Sequence, residues 1–186
     1  MHFATRFKSH RRIQPMNRFI IRFLGFFSIF IIINITQLSA AELNVAHIDE
    51  DWGNGKGSVP NKGICQYRGG DGMSPAFKIS NIPNLTAKIE LHFTDEDYDT
   101  EGFHGIIGVP LTKNQSEIII SSFKGETNSL PDKYEIIRKH GCYNCGTGVY
   151  LGPCSGGRGH RYNVYIYAKD SAGNTLSKGK LRLGNY

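Results

Sequence analysis

No aspartate or glutamate occurs in the first 40 residues of this 186-residue chain, although Arg6, Lys8, Arg11, Arg12, Arg18 and Arg22 do. The formal net charge of +6 therefore belongs to that segment, because the remainder holds 16 basic residues against all 16 acidic ones. A near-neutral remainder excludes the basic stripe that nucleic-acid binding needs. Cysteine is scarce too, with Cys65, Cys142, Cys145 and Cys154 all beyond the first 64 positions. Cys142-x-x-Cys145 has no second C-x-x-C partner, which argues against the usual two-pair zinc site. No internal repeat and no long low-complexity segment occurs, and no serine sits in a recognisable nucleophile elbow. A nucleophile, base and orienting group cannot be assembled from what remains.

What the first 40 residues do contain is a secretory pattern. Positive charge precedes the apolar run Phe23–Ile33, and the small residues Ser39, Ala40 and Ala41 follow it. That order of basic, apolar and small-residue regions predicts a signal peptide over residues 1–40, cut after Ala40. The alternative is a retained anchor over Phe19–Ile35, short for a span of about 20 residues. Export places residues 41–186, as one domain, in the periplasm or outside the cell. In an oxidising compartment an even cysteine count reads as disulfides. Cys65, Cys142, Cys145 and Cys154 allow three pairings, among which the sequence does not choose.

The exported part reads as mostly β. Ile89–Phe93 and Tyr162–Ala168 alternate apolar and polar residues with period two, as half-buried strands do. Gly105–Val109 is a short apolar run closed by Pro110, Glu117–Phe123 is rich in β-branched residues, and Lys180–Leu183 suggests a last strand. Glycine-rich turns separate them, at 51–55, 69–72 and 154–159. The best helix candidate is Pro131–Lys139, with proline in the first turn and basic residues at the end.

Three polar groupings can carry chemistry. Asp95-Glu96-Asp97 follows an apparent strand and precedes His104, so that two carboxylates project from the strand end beside a histidine. A carboxylate fixes a histidine's tautomer and raises its pKa, which makes a donor pair for an anion. The run Gly152-Pro153-Cys154-Ser155-Gly156-Gly157-Arg158-Gly159 turns backbone N–H groups towards a ligand and leads into His160, Arg161 and Tyr162. In a strand His160 and Tyr162 share a face and Arg161 takes the other. Cys142-x-x-Cys145 can be a metal pair, a redox pair or a structural disulfide, and an exported β domain favours the last.

In order, these pieces resemble the phosphatidylethanolamine-binding protein family, which includes the Raf kinase inhibitor-like proteins and small bacterial relatives. The resemblance runs from Val59 to Asp170. It rests on Val59-Pro60, Gly72–Phe77 with Ile82-Pro83, Thr94–Asp97, His104–Pro110, Tyr150–Cys154, Gly159–Tyr162 and Tyr165-x-Tyr167-Ala168-x-Asp170. It implies an antiparallel fold of two packed sheets with few short helices and a small anion or phospholipid-headgroup pocket at one end. By position, the pocket residues are Asp95, Asp97, His104, His160 and Tyr162, with Gly152 and Pro153 at the rim. Glu96 stands where the family has a proline, Gly105 where it has a covering tryptophan, and Ser155-Gly156 where it has two prolines. Ser171–Asn174 is a turn where relatives carry helical sequence. Those departures imply a more open pocket or a different ligand.

The expected function is an exported, non-enzymatic binding protein without metal or cofactor. Its partner would be a small anion or phospholipid headgroup, with peripheral membrane contact as a further partner class. One alternative is an acid–base hydrolase using Asp95, Asp97 and His104; another is a secreted interaction or inhibitor module.

Overall fold

A computed structural model describes residues 42–98 and 101–186. The export signal expected over residues 1–40, its cleavage site, and Asp99 of the acidic run lie outside the described residues.

Among the described residues there are eight strands, all paired antiparallel. They are β1 (Asn44–His47), β2 (Phe77–Ser80), β3 (Lys88–Asp95), β4 (Ile106–Pro110), β5 (Glu117–Ile120), β6 (Glu135–Arg138), β7 (Arg161–Lys169) and β8 (Thr175–Asn185). A three-stranded sheet has the order β1-β2-β5, and a five-stranded sheet has the order β6-β4-β3-β7-β8. Among the described residues the helical elements are short 3-10 turns at Glu50–Gly55, Asn61–Gly63 and Gln66–Arg68. Among the described residues no helix is long and apolar enough to cross a membrane.

Period-two patterning builds the core directly. Ile89, Leu91 and Phe93 of β3 and Val164, Ile166 and Ala168 of β7 are buried, and they join Phe77, Ile79 and Ile120 of the smaller sheet in one cluster. The opposite face of β3 and β7 carries Lys88, Glu90, His92, Tyr165 and Tyr167, all at least partly exposed. Such alternation lets one sheet bury one face and solvate the other. β4 is buried on both faces apart from Pro110, which explains its unbroken apolar run.

Two expectations change. The helix over Pro131–Lys139 is absent: Tyr134 N–H closes a turn onto Pro131, and Lys133 takes a left-handed φ of 71° that ends any helix there. The β-branched pair Ile136-Ile137 instead forms exposed edge strand β6 on β4, where a pleated conformation suits such side chains. The last strand is also far longer than Lys180–Leu183. β8 runs through Thr175–Asn185 because an Asp170–Asn174 turn folds it back onto β7, with Asp170 Oδ1 accepting from the N–H groups of Ala172 and Asn174.

The four cysteines form Cys65–Cys154 and Cys142–Cys145. The pairs close loops of very different size, 89 and 3 residues. In the chain-entropy picture the first is worth about 4–5 kcal/mol and the second under about 2.

Candidate functional site

Three strand ends meet at one end of the five-stranded sheet. β3 terminates at Asp95, which stands opposite Tyr162 of β7, and His104 lies two residues before β4. The intervening chain returns on β3 through Phe93 N–H to Gly105 O (3.0 Å) and His104 N–H to Phe93 O (3.1 Å). Leu151 then clamps His104 from both sides: its N–H donates to His104 O at 2.9 Å, and His104 Nδ1 donates to Leu151 O at 2.8 Å.

The side chains gathered there border a pocket of about 480 Å³. Asp95 is 3% exposed, and its Oδ2 accepts from His160 Nδ1 at 2.7 Å while Oδ1 accepts from Asp97 N–H at 3.0 Å. The Tyr162 hydroxyl accepts from the N–H groups of Cys154 (3.2 Å) and Ser155 (3.0 Å), which leaves its own proton for Asp95. Burial, with Asp95 alongside, pushes the phenol up to about 12, so Tyr162 remains a neutral donor. His104 is 4% exposed, and burial holds its imidazole below the ordinary value despite Leu151 and the Asp95 charge. A neutral ring donating through Nδ1 offers Nε2 as an acceptor. The sequence expectation of a carboxylate-charged histidine therefore does not fit His104.

An aromatic wall continues from this polar floor. Tyr98, Phe103, His104 and Tyr162 meet in successive edge-on contacts, with ring centroids 5.7, 5.8 and 5.4 Å apart. Tyr143 and the Cys142–Cys145 pair complete the mouth, and the cationic residue Arg158 lines the same pocket. No side chain of the described residues pairs with Arg158.

Of the residues expected from sequence, Asp95, His104, His160 and Tyr162 border the pocket and Asp97, Gly152 and Pro153 do not. β3 ends at Asp95, so strand alternation no longer governs Asp97. Asp97 turns to Arg161, accepting from its side chain at 2.8 Å and its N–H at 2.7 Å, and that partnership lowers its carboxyl to about 2. Gly152 sits beneath the site, where a Cβ would lie 2.3 Å from Gly63 O. Pro153 O accepts from Cys65 N–H at 3.1 Å, beside the Cys65–Cys154 bond. Both hold the floor against residues 63–65. The glycine-rich loop also differs from the expected anion nest, because Tyr162 occupies its first two N–H groups.

Gly105 is a requirement of this backbone. Its φ is 115°, and a Cβ would meet Val149 O at 2.3 Å, so no covering tryptophan fits there. Phe103 and Tyr98 supply the aromatic surface instead. Those residues, Tyr143 and Arg158 are what sequence reasoning missed. Arg158 stood inside a loop already singled out, and its isolation among glycines was the available signal. Among the described residues no three His, Cys, Asp or Glu side chains gather as a metal site requires.

No protein-family model matches the chain, and no curated protein matches it. Solved structures do. A putative phosphatidylethanolamine-binding protein homologue from Chlamydia trachomatis, CT736, superposes with a TM-score of 0.50 at 20% identity, over 78% of this chain and 97% of that one. YbcL of Escherichia coli, described as a new member of the mammalian PEBP family, gives a TM-score of 0.56 at 16% identity, over 78% and 98%. Residues 42–98 and 101–186 thus have a mostly β, two-sheet, phosphatidylethanolamine-binding-protein-like fold.

Proposed function

We propose that this chain is an exported, non-enzymatic binding protein whose pocket takes a small phosphate-type anion, free or as a phospholipid headgroup. The observation behind this reading is the convergence of Arg158, the His160–Asp95 pair, His104 and Tyr162 on one pocket with an aromatic mouth. Arg158 supplies the charge. When its ring is protonated, His160 donates through Nε2 while Nδ1 stays on Asp95. The neutral His104 accepts, so the best-matched ligand presents both an anionic oxygen and a proton donor. A phosphate monoester monoanion does so through its own hydroxyl, and phosphoethanolamine does so through its ammonium. Aromatic surface at the mouth suits an apolar substituent on that ligand.

The acid–base alternative needed Asp97 beside His104, and the Asp97–Arg161 pairing speaks against that role. Binding is tested by thermal unfolding with inorganic phosphate or phosphoethanolamine. A ligand at 100 times its dissociation constant stabilises the folded state by about 2.7 kcal/mol. The expected result is a rise in melting temperature that Arg158→Ala and His160→Ala each remove. No rise at millimolar concentrations of either compound refutes the anion pocket.

A further inference from the structure

The two disulfides occupy opposite situations. Cys65 is fully buried and its bond to Cys154 ties the pocket floor to a distant segment. Cys142 and Cys145 are both partly exposed, lie within the tetrapeptide Cys142-Tyr143-Asn144-Cys145, and border the pocket mouth. Tyr143 between them is 97% exposed.

Little else holds this rim. Gly141 N–H donates to Phe103 O at 2.9 Å and His140 N–H to Val149 O at 3.1 Å, and on the far side Val149 N–H bonds Gly125 O and Thr127 O. Between these anchors, the turn at Tyr143-Asn144 is local, and residues 142–148 make no backbone hydrogen bond to any other described segment. A segment so exposed and so poorly bonded opens at low free energy once its covalent closure is cut. At its base, both ring nitrogens of His140 are buried without a partner, and burial lowers that imidazole below its ordinary value.

We propose that Cys142–Cys145 is a thiol-exchangeable redox site, reduced and reoxidised by small thiols while Cys65–Cys154 stays intact, and that reduction releases the 142–148 rim of the pocket. A thiolate of the reductant attacks Sγ of one cysteine and breaks the Cys142–Cys145 bond. The other Sγ leaves as a thiolate and takes a proton from solvent. A second reductant thiolate then attacks the reductant's sulfur in the mixed disulfide. This frees the remaining cysteine, and two thiols have become one disulfide while two electrons pass to the protein. Arg158, which borders the same pocket, is a cation that favours the departing thiolate. Reoxidation is local, since the partners lie three positions apart in sequence.

The purified protein is equilibrated across a series of glutathione buffers, quenched with an alkylating agent and mapped by peptide mass spectrometry. The expected result is double alkylation of the Cys142–Cys145 peptide in buffers that leave Cys65–Cys154 oxidised. Chymotryptic cleavage after Tyr143 is expected to accelerate at least about tenfold on reduction. The Cys142→Ser/Cys145→Ser double variant should be cleaved at that fast rate in every buffer, with its melting temperature lowered by no more than about 6 °C. Reduction of both disulfides at one midpoint, an unchanged cleavage rate, or failure of the double variant to fold each overturns the proposal. None of these readouts depends on phosphate binding, so the two readings stand or fall separately.

Discussion

Asp95→Asn is the sharpest perturbation of the pocket floor, because it keeps the shape and removes the charge. In the parent the carboxylate receives His160 Nδ1–H at 2.7 Å, Asp97 N–H at 3.0 Å and the Tyr162 hydroxyl, from a position 3% exposed. An amide has one oxygen for these donors. If that oxygen stays on Asp97 N–H, the amide NH2 faces His160 and Tyr162, and His160 must shift its proton to Nε2 to accept. The charge-assisted bond to His160 is then gone and Tyr162 is left to reorient. Losing one hydrogen bond to a charged group at a buried site costs about 2–3 kcal/mol. At about 3 °C per kcal/mol for a chain of this size, the melting temperature should fall by roughly 6–9 °C. Phosphate should no longer raise it, since His160 has lost the oxygen that holds its Nδ1–H and fixes the ring in the pocket. Scanning calorimetry with and without phosphate reads both effects. A melting temperature within about 2 °C of the parent, with the phosphate response intact, would refute the network described above.

Asp97→Asn should leave the phosphate response unchanged, because Asp97 serves Arg161 outside the pocket; loss of the response would return Asp97 to the site. Stability should fall as pH drops from about 7 to 5, by denaturant midpoint. His104 has a folded pKa below its unfolded one, so its contribution is full above the ordinary imidazole value of about 6.5 and is lost as pH falls towards the lowered value. His104→Asn, which can still donate to Leu151 O, should flatten that slope, and an unaltered slope would contradict a neutral buried His104. Gly105→Ala should destabilise by about 2–4 kcal/mol in urea unfolding, combining left-handed strain with a contact on Val149 O that neither backbone can easily relieve. A loss under about 0.5 kcal/mol would mean that the 104–105 and 149–151 segments are not held as described.

Much of the sheet structure was legible because it depends on a local pattern. Alternation in Ile89–Phe93 and Tyr162–Ala168 corresponds to β3 and β7, and it places His160 and Tyr162 towards the pocket with Arg161 turned away. The same rule failed two residues past a strand end, where Asp97 left the face of Asp95. At Pro131–Lys139 the helix signals were correct in kind, but a left-handed Lys133 and pairing with β4 outweighed them. Arg158, Tyr98, Phe103 and Tyr143 were not legible as pocket residues, since three separate loops bring them together. Cysteine pairing was equally out of reach. It depends on Gly152 allowing residues 152–154 to lie against 63–65, a contact between segments about 90 positions apart.

The pairing of β3 with β7 has a consequence for the chain's life before it folds. β3 is the middle strand of its sheet, yet one of its two neighbours begins at Arg161, 66 positions after β3 ends at Asp95, and the outer β8 follows later still. Non-local pairing of this kind folds slowly, because the intervening chain must be gathered before any contact rewards it. Synthesis must have passed Lys169 before the central strand can be flanked on both sides. For the export proposed here that delay is useful: threading through a membrane channel demands a chain that has not yet closed its core.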